Sequence, residues 1–104
     1  MTPIYCFTLD EYTGHIDVYK IEKYVERKYY HDTGYAYYRP NRQGYNARYD
    51  FRKSQIDRFV NWRVYSYDPS VEHAKEIMES ALKDRVFDFN FKLNKYRKAL
   101  EMMG

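Results

Sequence analysis

The 104-residue sequence predicts an α+β domain: an antiparallel sheet of about five strands, one short helical turn, and one long C-terminal helix packed on a sheet face. Three observations carry this. Short aromatic and β-branched runs separated by turn residues occupy residues 4–67. Thirteen of the fourteen tyrosines fall there, and their amphipathic rings suit half-buried strands. After Pro69 no glycine or proline occurs before Gly104, and apolar residues recur at helical spacing. No repeat, low-complexity tract or linker divides the chain, so residues 1–104 read as one domain, with the sheet in 1–67 and the helix in 68–103.

Ile4–Leu9 (IYCFTL) reads as the first strand and Ile16–Val25 as its return, with turn chemistry in Asp10–Gly14. A three-residue loop would set Phe7 opposite Ile21 and Leu9 opposite Tyr19, whereas a two-residue loop would oppose Asp10 to Asp17. Glu26–Lys28 either continue that strand or bend out of it, and His31–Gly34 form a second turn. Tyr35–Arg39 and Tyr45–Arg52 form a hairpin closed by Pro40-Asn41-Arg42-Gln43-Gly44. Its simplest register pairs Tyr35 with Tyr49 and Tyr37 with Ala47. Alternation then places Tyr35, Tyr37, Tyr45, Tyr49 and Phe51 on one face, under the long helix, and Tyr38, Asn46, Arg48, Asp50 and Arg52 on the other.

Ser54-Gln55-Ile56-Asp57 matches a capping box and opens a helical turn through Val60. Arg63–Tyr67 returns to strand, with Trp62 as a core anchor. Asp68 as N-cap and Pro69 in the first turn start the long helix. Its stripe is Val71, Met78, Leu82, Val86, Phe89, Leu93, Tyr96, Leu100 and Met103, and from Leu82 onward the spacing is heptad-like.

The net charge of +3 is unevenly spread. Residues 1–19 hold three acids and no base, residues 20–63 hold eleven bases and five acids, and residues 68–104 hold seven of each. A basic middle attracts phosphate or an acidic protein surface. Cys6 is alone, so an intrachain disulfide is excluded, and in an apolar strand it reads as a small core residue. No stretch resembles a signal peptide or a membrane span, which predicts a cytoplasmic protein without a membrane partner.

Catalytic patterns are weak. His15, His31 and His73 show none of the H-x-H, H-E-x-x-H or C-x-x-C spacings, and no glycine-rich phosphate loop is present. The sequence therefore predicts no enzyme, no cofactor and no metal site. Binding patterns are stronger. Tyr29–Lys53 holds seven tyrosines, one phenylalanine, four arginines and a lysine. Once the inward tyrosines are set aside, Tyr38, Arg39, Arg42, Arg48 and Arg52 remain as candidate partner-binding residues. The same set suits stacking on unpaired bases and contacts to phosphate, the basis of a single-strand or RNA-binding alternative.

A helix of about 35 residues is on the order of 50 Å long, longer than the roughly 35 Å width of a compact domain of this size. It must overhang, break near Asp88-Phe89-Asn90, or find a second chain. Phe87 and Phe91 lie on the face opposite the stripe, and with Leu93, Tyr96 and Leu100 they form the candidate dimer or partner interface. A homodimer through this helix is the expectation.

In overall make-up, from MTPIYCFTLDEYTG through the tyrosine-rich sheet to DPSVEHAKEIMESAL, the chain resembles small orphan-like proteins of phages and other mobile elements. That resemblance implies a non-enzymatic, anti-CRISPR-like inhibitor that binds a bacterial defence nuclease or nucleoprotein complex. The basic middle sets it apart from acidic DNA mimics.

Overall fold

A computed structural model describes residues Met1–Gly104. The architecture is α+β, with seven strands in two antiparallel sheets and one long helix. The strands are β1 (Ile4–Leu9), β2 (Ile16–Ile21), β3 (Val25–Tyr29), β4 (Asp32–Pro40), β5 (Asn46–Arg52), β6 (Phe59–Val60) and β7 (Arg63–Ser66), followed by α1 (Val71–Met103). The first sheet has the order β2-β1-β7-β6 and the second β3-β4-β5. No helix is long and apolar enough to cross a membrane.

Three layers result, with the first sheet in the middle. One of its faces, carrying Ile4, Cys6, Ile21 and Tyr65, meets Tyr37 and Phe51 of the second sheet. The other, carrying Phe7, Phe59 and Val64, meets Ala74 and Met78 of α1. Strand β1 is covered on both sides, which explains why apolar residues occupy both of its faces from Ile4 to Phe7. Cys6 is buried, as its strand position predicts.

The tyrosine face of the hairpin therefore lies against the first sheet, not under the helix. Its alternation holds: Tyr37 is 2% exposed and Tyr38 63% exposed. The register differs from the expected one, pairing Tyr35 with Phe51, Tyr37 with Tyr49 and Arg39 with Ala47. That is a shift of two residues, which preserves the faces because side chains alternate with period two. Tyr45 leaves the set, being exposed in the loop before β5.

The first hairpin departs further. Phe7 pairs with Val18 and Ile4 with Ile21, so the connection is longer than three residues. The Asp10 carboxylate accepts the Tyr12 and Thr13 amides, and Asp10 N–H donates to the His15 carbonyl, which closes a wide loop. Strand β2 stops at Ile21, and the chain crosses to the second sheet to form β3. The following turn is Tyr30-His31, with Tyr30 at φ 35°, while Asp32-Thr33-Gly34 already belong to β4. Gly34 is required there, since a Cβ would strike the Phe51 carbonyl oxygen and the Tyr29 ring.

The capping box belongs to other residues than expected. Gln55 Oε1 accepts the Arg52 amide over a 3-10 turn at Lys53–Gln55, and Ser54 donates to Asp32 at 2.7 Å. The chain then forms the short strand β6 instead of more helix. Asn61 and Trp62, at φ 51° and 63°, make the two-residue turn into β7. Trp62 sits edge-on to Phe59 and keeps 36% of its surface exposed, so it covers the core's rim and does not anchor it.

The N-cap of α1 is Ser70, whose hydroxyl accepts the His73 amide, while Asp68 accepts the Ser70 amide one step earlier. Asp57, in left-handed backbone, accepts from the Ser66 hydroxyl at 2.6 Å and lies 3.1 Å from His73 Nε2. This carboxylate ties the first turn of the helix to β7.

Two outcomes test these layers. Phe51→Ala is expected to cost about 3–5 kcal/mol, and Tyr38→Ala less than about 0.5 kcal/mol, in urea denaturation. The hydrogen bond to Asp57 raises the pKa of His73 above its usual 6.5. The stabilisation is complete below that ordinary value and is lost as pH rises through the raised one. The melting-temperature gap between the parent protein and His73→Gln should thus be wider at about pH 5.5 than at about pH 8.5; an equal gap would remove the ion pair from the account.

Candidate interaction surfaces

The five residues expected to form one partner-binding face divide between two surfaces. Tyr38, Arg48 and Arg52 lie on the outer face of the second sheet. Arg48 Nε donates to Asp50 at 3.0 Å, which partly neutralises that face. Arg39, at the alternate strand position, turns inward, and its guanidinium carbon lies 4.1 Å from the Tyr19 ring centroid and 5.8 Å from that of Tyr49. Arg42 stands in the β4–β5 loop, exposed to solvent.

Arg39 and Arg42 open onto a cleft of about 520 Å³ at one end of the interface between the sheets. A third arginine, Arg63 of β7, joins them, with its guanidinium carbon 5.2 Å from the Tyr49 ring centroid. Sequence reading passed over Arg63, Tyr19 and Tyr49 as site residues. Arg63 follows Trp62 in an ordinary strand run, and only the pairing of β7 beside β1 and the stacking of the sheets bring it to Arg39. None of the three arginines forms an ion pair. Asp17 also lines the cleft but lies 3.1 Å from His15 Nε2. Asp10 is held below its usual carboxylate range by the Tyr12 and Thr13 amides, with a smaller pull from Arg42.

Apart from the cleft, the other candidate surface is the helix. Packing ends near Leu82: Ala74 and Met78 are buried, and Ile77, Ala81 and Leu82 are partly covered. Beyond them α1 continues unbroken to Met103, with no kink near Asp88. The free part spans about 30 Å, and the molecule measures 61 Å along its longest axis. Its radius of gyration, 18.0 Å, exceeds the ~13 Å of a compact chain this long.

Apart from Arg85, whose guanidinium carbon lies 5.0 Å from the Phe59 ring centroid, nothing in the chain covers this segment. Phe89 is 67% and Leu100 69% exposed; Val86, Phe87, Phe91 and Tyr96 are similarly open, and Leu93 is partly exposed. Val86, Phe89, Leu93, Tyr96, Leu100 and Met103 follow one another at alternating spacings of three and four, the a and d positions of a heptad. The positions flanking that stripe are Lys83, Arg85, Asn90, Lys92, Arg97 and Ala99, four cations and no acid. Residues 83–104 carry six bases and three acids, the whole net charge of the protein.

Family models, curated proteins and solved structures yield no match to this chain. The functional reading rests on these two surfaces.

A chain shortened after Val86, which keeps the Arg85 guanidinium over the Phe59 ring, should keep the melting temperature of the full chain within about 3 °C, because the rest of the helix packs on no other element. A loss of cooperative unfolding would show that the free segment supports the sheets.

Proposed function

We propose that this protein is a non-enzymatic binding protein whose docking element is the free half of α1. The observation that carries the reading is the solvent-exposed heptad stripe from Val86 to Met103. Apolar residues in such a contiguous run on a stable scaffold are characteristic of an interaction site, and a helix presenting them suits an apolar groove or another helix.

Charge selects the occupant. The flanks Lys83, Arg85, Lys92 and Arg97 favour a partner helix or groove bordered by Asp and Glu. A second copy of the chain brings no acid to either flank. In parallel register Lys92 would face a second Arg97; antiparallel pairing would offer only Asn90 and Ala99. The homodimer expected from the helix's length and its overhanging apolar stripe is thereby less favoured than a foreign acidic partner. In make-up the chain fits a stoichiometric inhibitor carried by a phage or other mobile element, and its partner class in this reading is a subunit of a bacterial defence nuclease complex.

A synthetic helix with leucine at the stripe positions and glutamate at the flanks is the direct probe. Four flanking pairs at about 0.3–0.5 kcal/mol each amount to about tenfold in affinity. The glutamate-flanked peptide should bind about tenfold more tightly than a lysine-flanked one, with the gap narrowing in high salt. Leu93→Asp should abolish both. Sedimentation showing a tight dimer whose affinity exceeds that of the peptide would return the stripe to self-association. In pull-downs from bacterial lysate, a nuclease subunit retained after nucleic-acid digestion and lost with Leu93→Asp supports the inhibitor reading. Recovery of nucleic acid alone overturns it.

A further inference from the structure

We infer that the cleft between the two sheets is a binding site for a phosphate group, formed by Arg39, Arg42 and Arg63. The inference is independent of the docking helix, which lies on the far side of the first sheet. Three elements converge there: β4 supplies Arg39, the β4–β5 loop Arg42, and β7 Arg63. Arg39 and Arg63 both stand over the Tyr49 ring, at 5.8 and 5.2 Å from its centroid, and Arg39 also covers Tyr19 at 4.1 Å.

Two like charges beside one ring repel each other, and no carboxylate pairs with either. Most arginines that fold inward do so to meet an acid. Here the ring faces hold the guanidinium planes by cation–π contact, and apart from a weak interaction of Arg63 with the Tyr65 hydroxyl their N–H edges remain available to donate. An anion placed between those edges removes the repulsion and accepts several charge-assisted hydrogen bonds at once. A tetrahedral phosphate suits three converging forks, and Arg42 in the loop can close over it.

The nearby acids limit what enters. Asp17 hydrogen-bonds His15 and Asp10 accepts its own loop amides, and neither forms an ion pair with the arginines, although Arg42 is near enough to act on Asp10. A volume of about 520 Å³ accommodates a nucleotide. Because guanidinium groups already occupy faces of Tyr19 and Tyr49, those faces are not free to stack a base. Recognition therefore falls on the phosphate, independent of base identity. The source is either a free nucleotide or the backbone of a single strand.

The probes are inorganic phosphate and adenosine diphosphate, followed by calorimetry and by shifts of the Tyr19 and Tyr49 ring signals, and a labelled oligothymidylate followed by anisotropy. Arg42→Gln/Arg63→Gln should weaken binding about tenfold or more, and Arg48→Gln on the outer sheet face should leave it unchanged. Binding of phosphate and nucleotide with that pattern assigns a small-molecule site. Binding of the oligonucleotide alone with that pattern assigns a strand-backbone site. No binding by any probe, or equal weakening by Arg48→Gln, overturns the inference. Should the double variant fail to fold, the exposed loop change Arg42→Gln decides alone.

Discussion

The Phe51 ring lies 3.9 Å from that of Tyr65 at an interplanar angle of 8°, and Tyr37 meets both rings edge-on. These three rings come from β5, β7 and β4, so one cluster joins the sheet made by the middle of the chain to the sheet made by its ends. The Tyr37 and Tyr65 hydroxyls lie 3.1 Å apart, one donating to the other, so neither is left without a partner where water is excluded. Burial holds both phenols neutral by raising their pKa values. A core built on tyrosine in place of leucine explains how a chain with a mean hydropathy of −0.91 folds. The ring supplies apolar area, and the hydroxyl is either paired inside or carried to the edge.

That cluster also sets where the two surfaces lie. Stacking the sheets through Tyr37, Phe51 and Tyr65 leaves the next inward positions, Arg39 and Arg63, at the open end of the interface over Tyr49. Covering the other face of the first sheet takes only the first part of α1, through Ala74 and Met78. The remaining helix has no sheet to lie on. Its persistence as a bare amphipathic rod keeps apolar side chains in water, a cost that a partner would remove on binding.

Several elements were legible in the residues because they depend on local chemistry. The long helix follows from the absence of breakers and from its spacing, although its cap moved from Asp68 to Ser70. The burial of Tyr37 against the exposure of Tyr38 follows from alternation, which tolerates the two-residue register shift observed. The first hairpin was not legible to that degree. Since β1 is covered on both faces, its apolar pattern does not distinguish one register from another, and hydrogen bonds around Asp10 decided the loop length. At Asn61-Trp62 both turn residues need positive φ, which asparagine adopts readily but tryptophan rarely does, so the sequence points to helix where β6 forms.

By itself the sequence determined the long helix and most of the strand segments, which side chains of the central hairpin share a face, and that the free end of the helix carries a heptad stripe between cations. These are consequences of the backbone's own periods, two and 3.6 residues. Only the tertiary structure decided that the tyrosine face meets a second sheet and not the helix, and that Arg63 comes to rest beside Arg39. Both depend on how layers stack, and a layer's partner is chosen by the total area it buries over the whole chain. No local pattern records that choice.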